Sequence, residues 1–173
     1  MSLLERPPLE EVPAYYHNYV NTATGDDLQQ ALQNASDRAW AIQRLLPVDR
    51  HEHRYAPGKW SVKEVFQHLI DAERIFAYRA LRFARNDAMP LPGFEENDYV
   101  PEARCGTRGM HAIMREHDAV RAATIELFRG FDDIALMRTG TANNNSMSVR
   151  AIGWIIAGHA MHHMRVIEEC YLT

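Results

Sequence analysis

The stretch IGWIIAGHAMHHMRVIEEC (residues 152–170) predicts an amphipathic helix that carries two histidines on its inward face. Its inward positions follow steps of four and three, which place them on one seam of the helix. They are Ile152, Ile156, His159, His163, Val166 and Cys170. His159 and His163 are one turn apart, so their Cβ atoms are expected to lie roughly 5–6 Å from each other. Two imidazoles at this spacing either bind one metal ion or are core histidines that each need a hydrogen-bond partner.

The composition is typical of one globular domain over residues 1–173, with 46% apolar and 24% charged residues. The net charge is −4 and no cluster of lysines and arginines is present, which argues against a nucleic-acid partner. No segment approaches the roughly 20 apolar residues of a membrane span. The first residues lack the pattern of a signal peptide. The two cysteines, Cys105 and Cys170, form no disulfide framework, so a cytoplasmic location is expected.

Two more helices are predicted in the first half of the chain. Residues 26–46 repeat the steps of four and three, with Thr24 and Asp27 as a capping signal. The next helix begins after Ser61, which forms a capping box with Glu64, and ends near residues 85–87. Before both, residues 1–23 are rich in proline and tyrosine, which predicts an N-terminal arm with a short helical turn near residues 14–20.

A further helix is predicted over residues 109–130, with Thr107 as its cap, and Ser148 caps the last helix. Four helices of about 20 residues with heptad-like seams predict an all-α fold, a four-helix bundle. Three prolines exclude a helix that runs through residues 86–107, which are expected to cross the bundle or to cover an opening. Residues 132–148 are polar and turn-forming, with a short extended piece.

Histidines outside the opening stretch extend the possible metal site. His68 lies on the flank of the second helix, where Glu64 one turn away is a candidate to orient its ring. His117 lies on the seam of the third helix and is a core histidine, a fourth ligand or an orienting group. His162 is either an orienting group or an alternative to His163, because it lies three residues after His159.

If the second and last long helices are neighbours, His68, His159 and His163 converge on one point. Three histidines leave a fourth coordination position for water or substrate, which is typical of a catalytic metal. Neutral ligands also leave a divalent ion its full charge, so that it lowers the pKa of a bound water or thiol. The spacing does not distinguish Zn from Ni or Fe.

Three stretches resemble the DinB/YfiT-like superfamily of metal-dependent enzymes. They are YAPGKWSVKEVFQHLIDAERIFAYRALRFARND (residues 55–87), LPGFEENDYV (residues 91–100) and SVRAIGWIIAGHAMHHMRVIEECYL (residues 148–172). The resemblance implies a four-helix bundle with long crossover connections, in which one histidine of the second long helix and two of the last hold the metal. These positions are His68, His159 and His163. The resemblance also implies a homodimer.

For function, the resemblance implies a thiol S-transferase in which a low-molecular-weight thiol is activated for transfer to a small electrophilic substrate. A hydrolase that activates water is the neighbouring possibility and would act without added thiol. The alternative is a non-catalytic metal-binding bundle, a sensor or an interaction module, whose fourth coordination position is closed by His117 or a nearby side chain. The sequence contains no nucleophilic serine or cysteine motif and no phosphate-binding loop that would support another chemistry.

Overall fold

The computed structural model describes residues 4–172, which form a helical bundle with one small hairpin. In chain order the elements are α1 (His17–Thr22), α2 (Leu28–Leu45), α3 (Val62–Ala84), α4 (Glu96–Glu102), α5 (Met110–Arg129), α6 (Asp133–Met137), β1 (Thr139–Ala142), β2 (Asn145–Ser148) and α7 (Val149–Cys170). Short 3-10 turns lie at Leu9–Glu11, Ala14–Tyr16, Val48–Arg50 and Cys105–Thr107. The four long helices α2, α3, α5 and α7 are the four that the sequence predicts. No described helix combines the length and apolar character that a membrane span requires.

The helices are arranged so that α7 packs against both α2 and α3, and α5 packs against the same two helices. Helices α2 and α3 therefore lie diagonally across the bundle, as do α5 and α7. Helix α7 runs antiparallel to α3, because the Tyr171 hydroxyl at its end donates to the carbonyl of Trp60 (2.7 Å), just before α3. This arrangement brings the first half of α3 beside the middle of α7, where the three predicted ligands lie.

The connection between α3 and α5 crosses the bundle, which is one of the two arrangements expected from the sequence. Arg108 at the start of α5 donates to Gln67 near the start of α3 (2.6 Å), and Arg121 further along α5 binds Glu73 further along α3. The two helices therefore run in the same direction, and residues 85–109 return along the length of the bundle. On the way, Leu91 pairs with the hairpin through hydrogen bonds to Thr141 and Asn143.

No helix runs through residues 86–107, as the prolines indicate, but the described structure places the short helix α4 within them. Helix α4 includes Pro101 in its last turn, where the missing N–H removes only one hydrogen bond at the end of a short helix. The predicted extended piece within residues 132–148 is a hairpin preceded by α6. Asn143 and Asn144 have positive φ angles of 49° and 60°, which is the conformation of a tight hairpin turn.

Two predicted helix caps are wrong. The N-cap of α2 is Asp27 rather than Thr24, because the Asp27 carboxylate accepts a hydrogen bond from the backbone N–H of Gln30 (2.8 Å). Helix α5 begins at Met110 without a side-chain cap, and the Thr107 hydroxyl instead donates to a carbonyl within its own turn. The caps predicted at Ser61 and Ser148 are confirmed.

The predicted seams of α2 and of the first half of α7 are buried, whereas that of α5 is shifted. The steps of three and four that pass through His117 also predict that Val120 and Leu127 face inward on α5. These two residues are only half-buried, and their neighbours Arg121 and Phe128 are buried instead. The shift places Arg121 against Glu73 of α3, with which it forms an ion pair inside the bundle (2.8 Å). A buried charged pair thus lies next to Val120, the position that the seam predicts to face inward.

Candidate metal centre

Three imidazoles from two helices meet at the interface of α3 and α7. The Nε2 atom of His68 lies 3.0 Å from Nε2 of His159, and Nε2 of His163 lies 3.1 Å from the same atom. A ligand nitrogen from each of the three lies within 4.8 Å of the others. In a tetrahedral zinc site with Zn–N bonds of about 2.0–2.1 Å, the nitrogens are roughly 3.4 Å apart. The spacing of the three nitrogens therefore fits one divalent ion between them.

Hydrogen bonding among the three histidines cannot satisfy both of these contacts. A neutral imidazole nitrogen carries either one proton or one lone pair, so Nε2 of His159 forms a hydrogen bond with His68 or with His163 but not with both. A core histidine in the ordinary sense has its polar atoms paired. A metal ion accepts a lone pair from each of the three nitrogens at once, so that every one of these nitrogens has a partner.

The surroundings keep the three rings neutral. Burial lowers the pKa of His68 to about 4. Burial, followed by the nearby histidines, holds the pKa of His159 well below its ordinary value, and His163 is shifted in the same direction for the same reasons. The described cluster contains no carboxylate that would favour the protonated form. Neutral imidazole is the form that binds metals.

Local sequence features fix the helices that carry the ligands. The capping box of Ser61 and Glu64 starts α3 about two turns before His68. On α7, a Cβ atom at Gly158 would lie 1.7 Å from the carbonyl oxygen of Tyr19. The glycine next to His159 therefore allows α1 to pack directly on α7 and places Tyr19 beside the cluster.

Aromatic rings surround the histidines on the side away from the helix backbones. The Trp60 ring lies 4.8 Å from His68 and stacks on His163 at 6.5 Å. The Tyr19 ring lies 5.3 Å from His159, and the Phe76 ring lies 6.3 Å from it. These rings restrict the rotation of the imidazoles and exclude water from much of the cluster.

The cluster opens onto a cleft of about 330 Å³. Its polar lining beyond the histidines comes from Tyr15, Tyr16, Tyr19, Arg79, Glu96, Asn143 and Asn145. A second cleft of about 320 Å³ lies on the other side of Trp60 and His163, and Lys59, Asn97 and His162 are among its lining residues. A ligand can therefore approach His163 from two sides.

The predicted accessory residues lie near the cluster but outside it. The Glu64 carboxylate accepts from the Ser61 N–H and forms an ion pair with Arg54, and the structure shows no hydrogen bond from it to His68. His162 is half-buried, with its ring 5.3 Å from Tyr19, and it is not one of the three converging histidines.

His117 is also outside the three-histidine group. Its Nδ1 atom lies 3.5 Å from a carboxylate oxygen of Asp118. Its Nε2 atom is buried and has no partner within the described part of the chain. His117 therefore lies on the inward face of α5, as its seam position predicts, without joining the cluster.

Sequence reasoning did not identify the residues that shape the cleft. Arg79 is the most informative of them, because it is 3% exposed and lies on the same helix as His68. Its position three residues after Phe76 on an apolar face was a usable signal. Asn143 and Asn145 line the cleft because of the position of the hairpin, and no local pattern in the sequence predicts this.

Comparisons with known proteins agree with the fold and with the family resemblance. No curated protein matches the sequence of this chain. A solved structure, YfiT from Bacillus subtilis, matches with a TM-score of 0.73 and 15% identity over 98% of this chain and 96% of that chain. It is described as a "probable metal-dependent hydrolase with an unusual four-helix bundle topology". The family model of the DinB superfamily matches residues 10–167, so the chain belongs to the DinB superfamily.

Proposed function

We propose that this chain is a metal-dependent enzyme in which His68, His159 and His163 hold a divalent ion for chemistry on a small electrophile. One observation carries the proposal: Nε2 of His159 contacts two other imidazole nitrogens, although it can form a hydrogen bond with only one of them. A bound divalent ion supplies a Lewis acid, which lowers the pKa of a coordinated water or thiol toward neutrality.

An enzyme fits the geometry better than a closed metal-binding bundle does. Structural metal sites take four protein ligands, whereas catalytic sites commonly take three and leave one position to water or substrate. Within the described residues, three side chains form the cluster, and His117 is not one of them. The cleft beside the cluster has a size suited to a small molecule.

The tyrosines of the cleft are placed to bind substrate rather than to remove a proton. Burial raises the pKa of Tyr19 to about 12, and burial also raises the pKa of Tyr16. Both hydroxyls keep their protons at neutral pH and can donate hydrogen bonds to a carbonyl or an anionic oxygen. Trp60 and Phe76 provide apolar contact area on either side of the cluster.

Two reactions are compatible with this proposal, and they differ in whether turnover requires an added thiol. In hydrolysis, water attacks an ester or amide carbonyl and the leaving group departs with a proton. In thiol transfer, the sulfur of a low-molecular-weight thiol attacks an electrophilic carbon and displaces its leaving group. The description of the Bacillus subtilis protein supports hydrolysis, whereas the family resemblance of the sequence supports thiol transfer.

The test is turnover by protein loaded with Zn, Ni or Fe. Ester and amide substrates are supplied without thiol, and electrophiles are supplied with glutathione, bacillithiol or mycothiol. We expect turnover that requires the metal, is lost in His163→Ala and is retained in His111→Ala, an exposed histidine on α5. Absence of metal-dependent turnover in every arm contradicts the enzyme proposal and favours the sensor. Activity that persists in His163→Ala contradicts the three-histidine site.

A further inference from the structure

Arg79 places a buried positive charge in the wall of the metal-site cleft. Its side chain is 3% exposed, and it lines the same cleft as the three histidines. It donates a hydrogen bond to the carbonyl oxygen of Pro92 (3.0 Å). The guanidinium carbon lies 5.5 Å from the centre of the Phe76 ring and 5.9 Å from that of Phe94.

None of these partners balances the charge of Arg79. Among the described residues Arg79 forms no ion pair, and its neighbours are a carbonyl, the Tyr16 hydroxyl and two aromatic faces. A guanidinium has five N–H donors and stays protonated, although burial lowers the pKa of Arg79. A buried charge without a counter-charge is costly, and it is usually paired or bound to a ligand.

The remaining charges around the cleft do not supply this partner. Glu96 of α4 also lines the cleft but does not come within ion-pair distance of Arg79. A divalent ion held by the three histidines would add positive charge at their end of the cleft. Anions are therefore the ligands that this cleft attracts.

The distance between Arg79 and the histidines sets the size of the ligand. His68 and Arg79 are 11 positions apart on α3, which corresponds to about 16 Å between their Cα atoms along the axis. The Arg79 guanidinium lies over Phe76, three residues before it, so the arginine side chain extends back toward the cluster. The shorter His68 side chain leans in the same direction, so the gap is reduced only by the difference in their lengths. A molecule that reaches both groups has its anionic group several bonds away from its reacting atom.

We infer that Arg79 binds the carboxylate of an elongated small molecule whose reactive end lies at the three-histidine cluster. This inference rests on the proposed function, since it describes the substrate or thiol that the same site takes. The planar guanidinium suits a carboxylate because it can donate two parallel hydrogen bonds. Only two groups of the ligand are specified: the carboxylate that Arg79 binds and the reactive group that lies at the three-histidine cluster.

Cobalt-loaded protein and a series of mercaptocarboxylates provide the main test. The acids run from mercaptoacetate to mercaptooctanoate, and each is matched with the mercaptoalcohol of the same length. Binding is followed by the thiolate-to-cobalt absorption band. We expect the acids that are long enough to reach Arg79 to bind about tenfold or more tightly than their alcohols, as a charge-assisted hydrogen bond requires. Arg79→Gln should remove this preference without changing the affinity for the alcohols, and Arg79→Lys should restore part of it.

A second variant keeps the inference testable if Arg79→Gln fails to fold. Glu96 lies on the short helix α4 and is only half-buried, so Glu96→Gln is expected to fold. Removal of its negative charge from the cleft should tighten binding of the acids severalfold and leave the alcohols unchanged. Equal affinities for acids and alcohols in the wild type, or an unchanged preference in Arg79→Gln, overturn the inference.

The inference about Arg79 and the proposed metal site are contradicted by different results. If cobalt does not bind, the proposed function is wrong, and the acid preference is then decided on metal-free protein. Hexanoate and hexanol are compared there by ligand-observed NMR, and hexanoate alone should show Arg79-dependent binding. If cobalt and the mercaptoalcohols bind but the acids have no advantage, only the inference about Arg79 is wrong.

Discussion

Arg121 and Arg79 are buried to the same extent, 3% exposed each, but their electrostatic surroundings are opposite. Arg121 binds both carboxylate oxygens of Glu73, at 2.9 and 2.8 Å, and also donates to the carbonyl of Leu32. Arg79 has only neutral partners. Arg79 belongs to α3 and borders the cleft, whereas Arg121 belongs to α5 and contacts α3 inside the bundle.

This difference distinguishes buried polar groups that stabilise the fold from buried polar groups that lack a partner side chain and are available to bind a ligand. Glu73 lies between His68 and Arg79 on the same helix, and only Glu73 has a charged partner from another helix. The three residues cannot be distinguished by burial, since all are less than 9% exposed. They differ in whether another side chain completes their interactions, and the two incomplete groups share one cleft.

The largest expected effect is on stability, from breaking the compensated pair. Arg121→Met leaves the Glu73 carboxylate buried without a counter-charge, which should lower the free energy of unfolding by about 3–5 kcal/mol. The free energy is measured by urea denaturation of the metal-free protein. The double variant Glu73→Met/Arg121→Met should recover most of the loss, because two apolar side chains of similar volume replace the pair. A double variant as unstable as Arg121→Met would show that the ion pair itself is required.

The next effect concerns metal affinity, from changes in the histidine cluster. His68→Ala, His159→Ala and His163→Ala should each weaken zinc binding by more than about 100-fold, because loss of a ligand exceeds the effect of losing a group that orients one. Affinity is measured by competition with a chromophoric chelator. His117→Ala and His162→Ala are the matched controls, since neither residue is one of the three converging histidines. A loss in His162→Ala as large as that in His163→Ala would favour the alternative pair of ligands.

The pH dependence of the metal-free protein gives a smaller effect with a defined sign. The pKa of His68 is about 4 in the folded protein and near 6.5 in the unfolded chain. Between these two values the unfolded chain binds a proton at this residue and the folded protein does not. The free energy of unfolding should therefore fall as pH decreases from 6.5 toward 4, by about 1.4 kcal/mol per pH unit for this residue. His68→Gln should have a shallower profile than the wild type over this range. Parallel urea-denaturation profiles would contradict the low pKa.

Much of the fold follows from spacing alone, because each long helix must bury one continuous seam. The seam of α2 is buried as predicted, and the caps at Ser61 and Ser148 are where the sequence places them. The spacing of His159 and His163 likewise indicates the metal centre, and the family resemblance adds His68. The seams, the caps and the pair of histidines on α7 are local features, since the residues that define each of them lie within a few positions of each other, whereas His68 comes from another helix.

The remaining features depend on contacts between distant segments. A periodic pattern does not decide whether Val120 or Arg121 faces inward, and the answer follows from Glu73 on another helix. The surroundings of Arg79 are also not predictable from the sequence, because the sequence does not show which buried arginine forms an ion pair with a carboxylate. The lining of the cleft by Glu96 and Asn143 depends on a connection and a hairpin, and their positions follow from the crossover of the bundle.

The smallest expected change tests whether Arg79 is held for the fold or for a ligand. Arg79→Gln removes one hydrogen bond to Pro92 but also removes an uncompensated buried charge, and the two effects oppose each other. We expect the free energy of unfolding of the metal-free protein to change by no more than about 1 kcal/mol, against several for Arg121→Met. Urea denaturation of both variants under the same conditions measures the difference. A loss in Arg79→Gln as large as that in Arg121→Met would mean that the fold depends on both arginines, and the distinction between core and cleft would no longer hold.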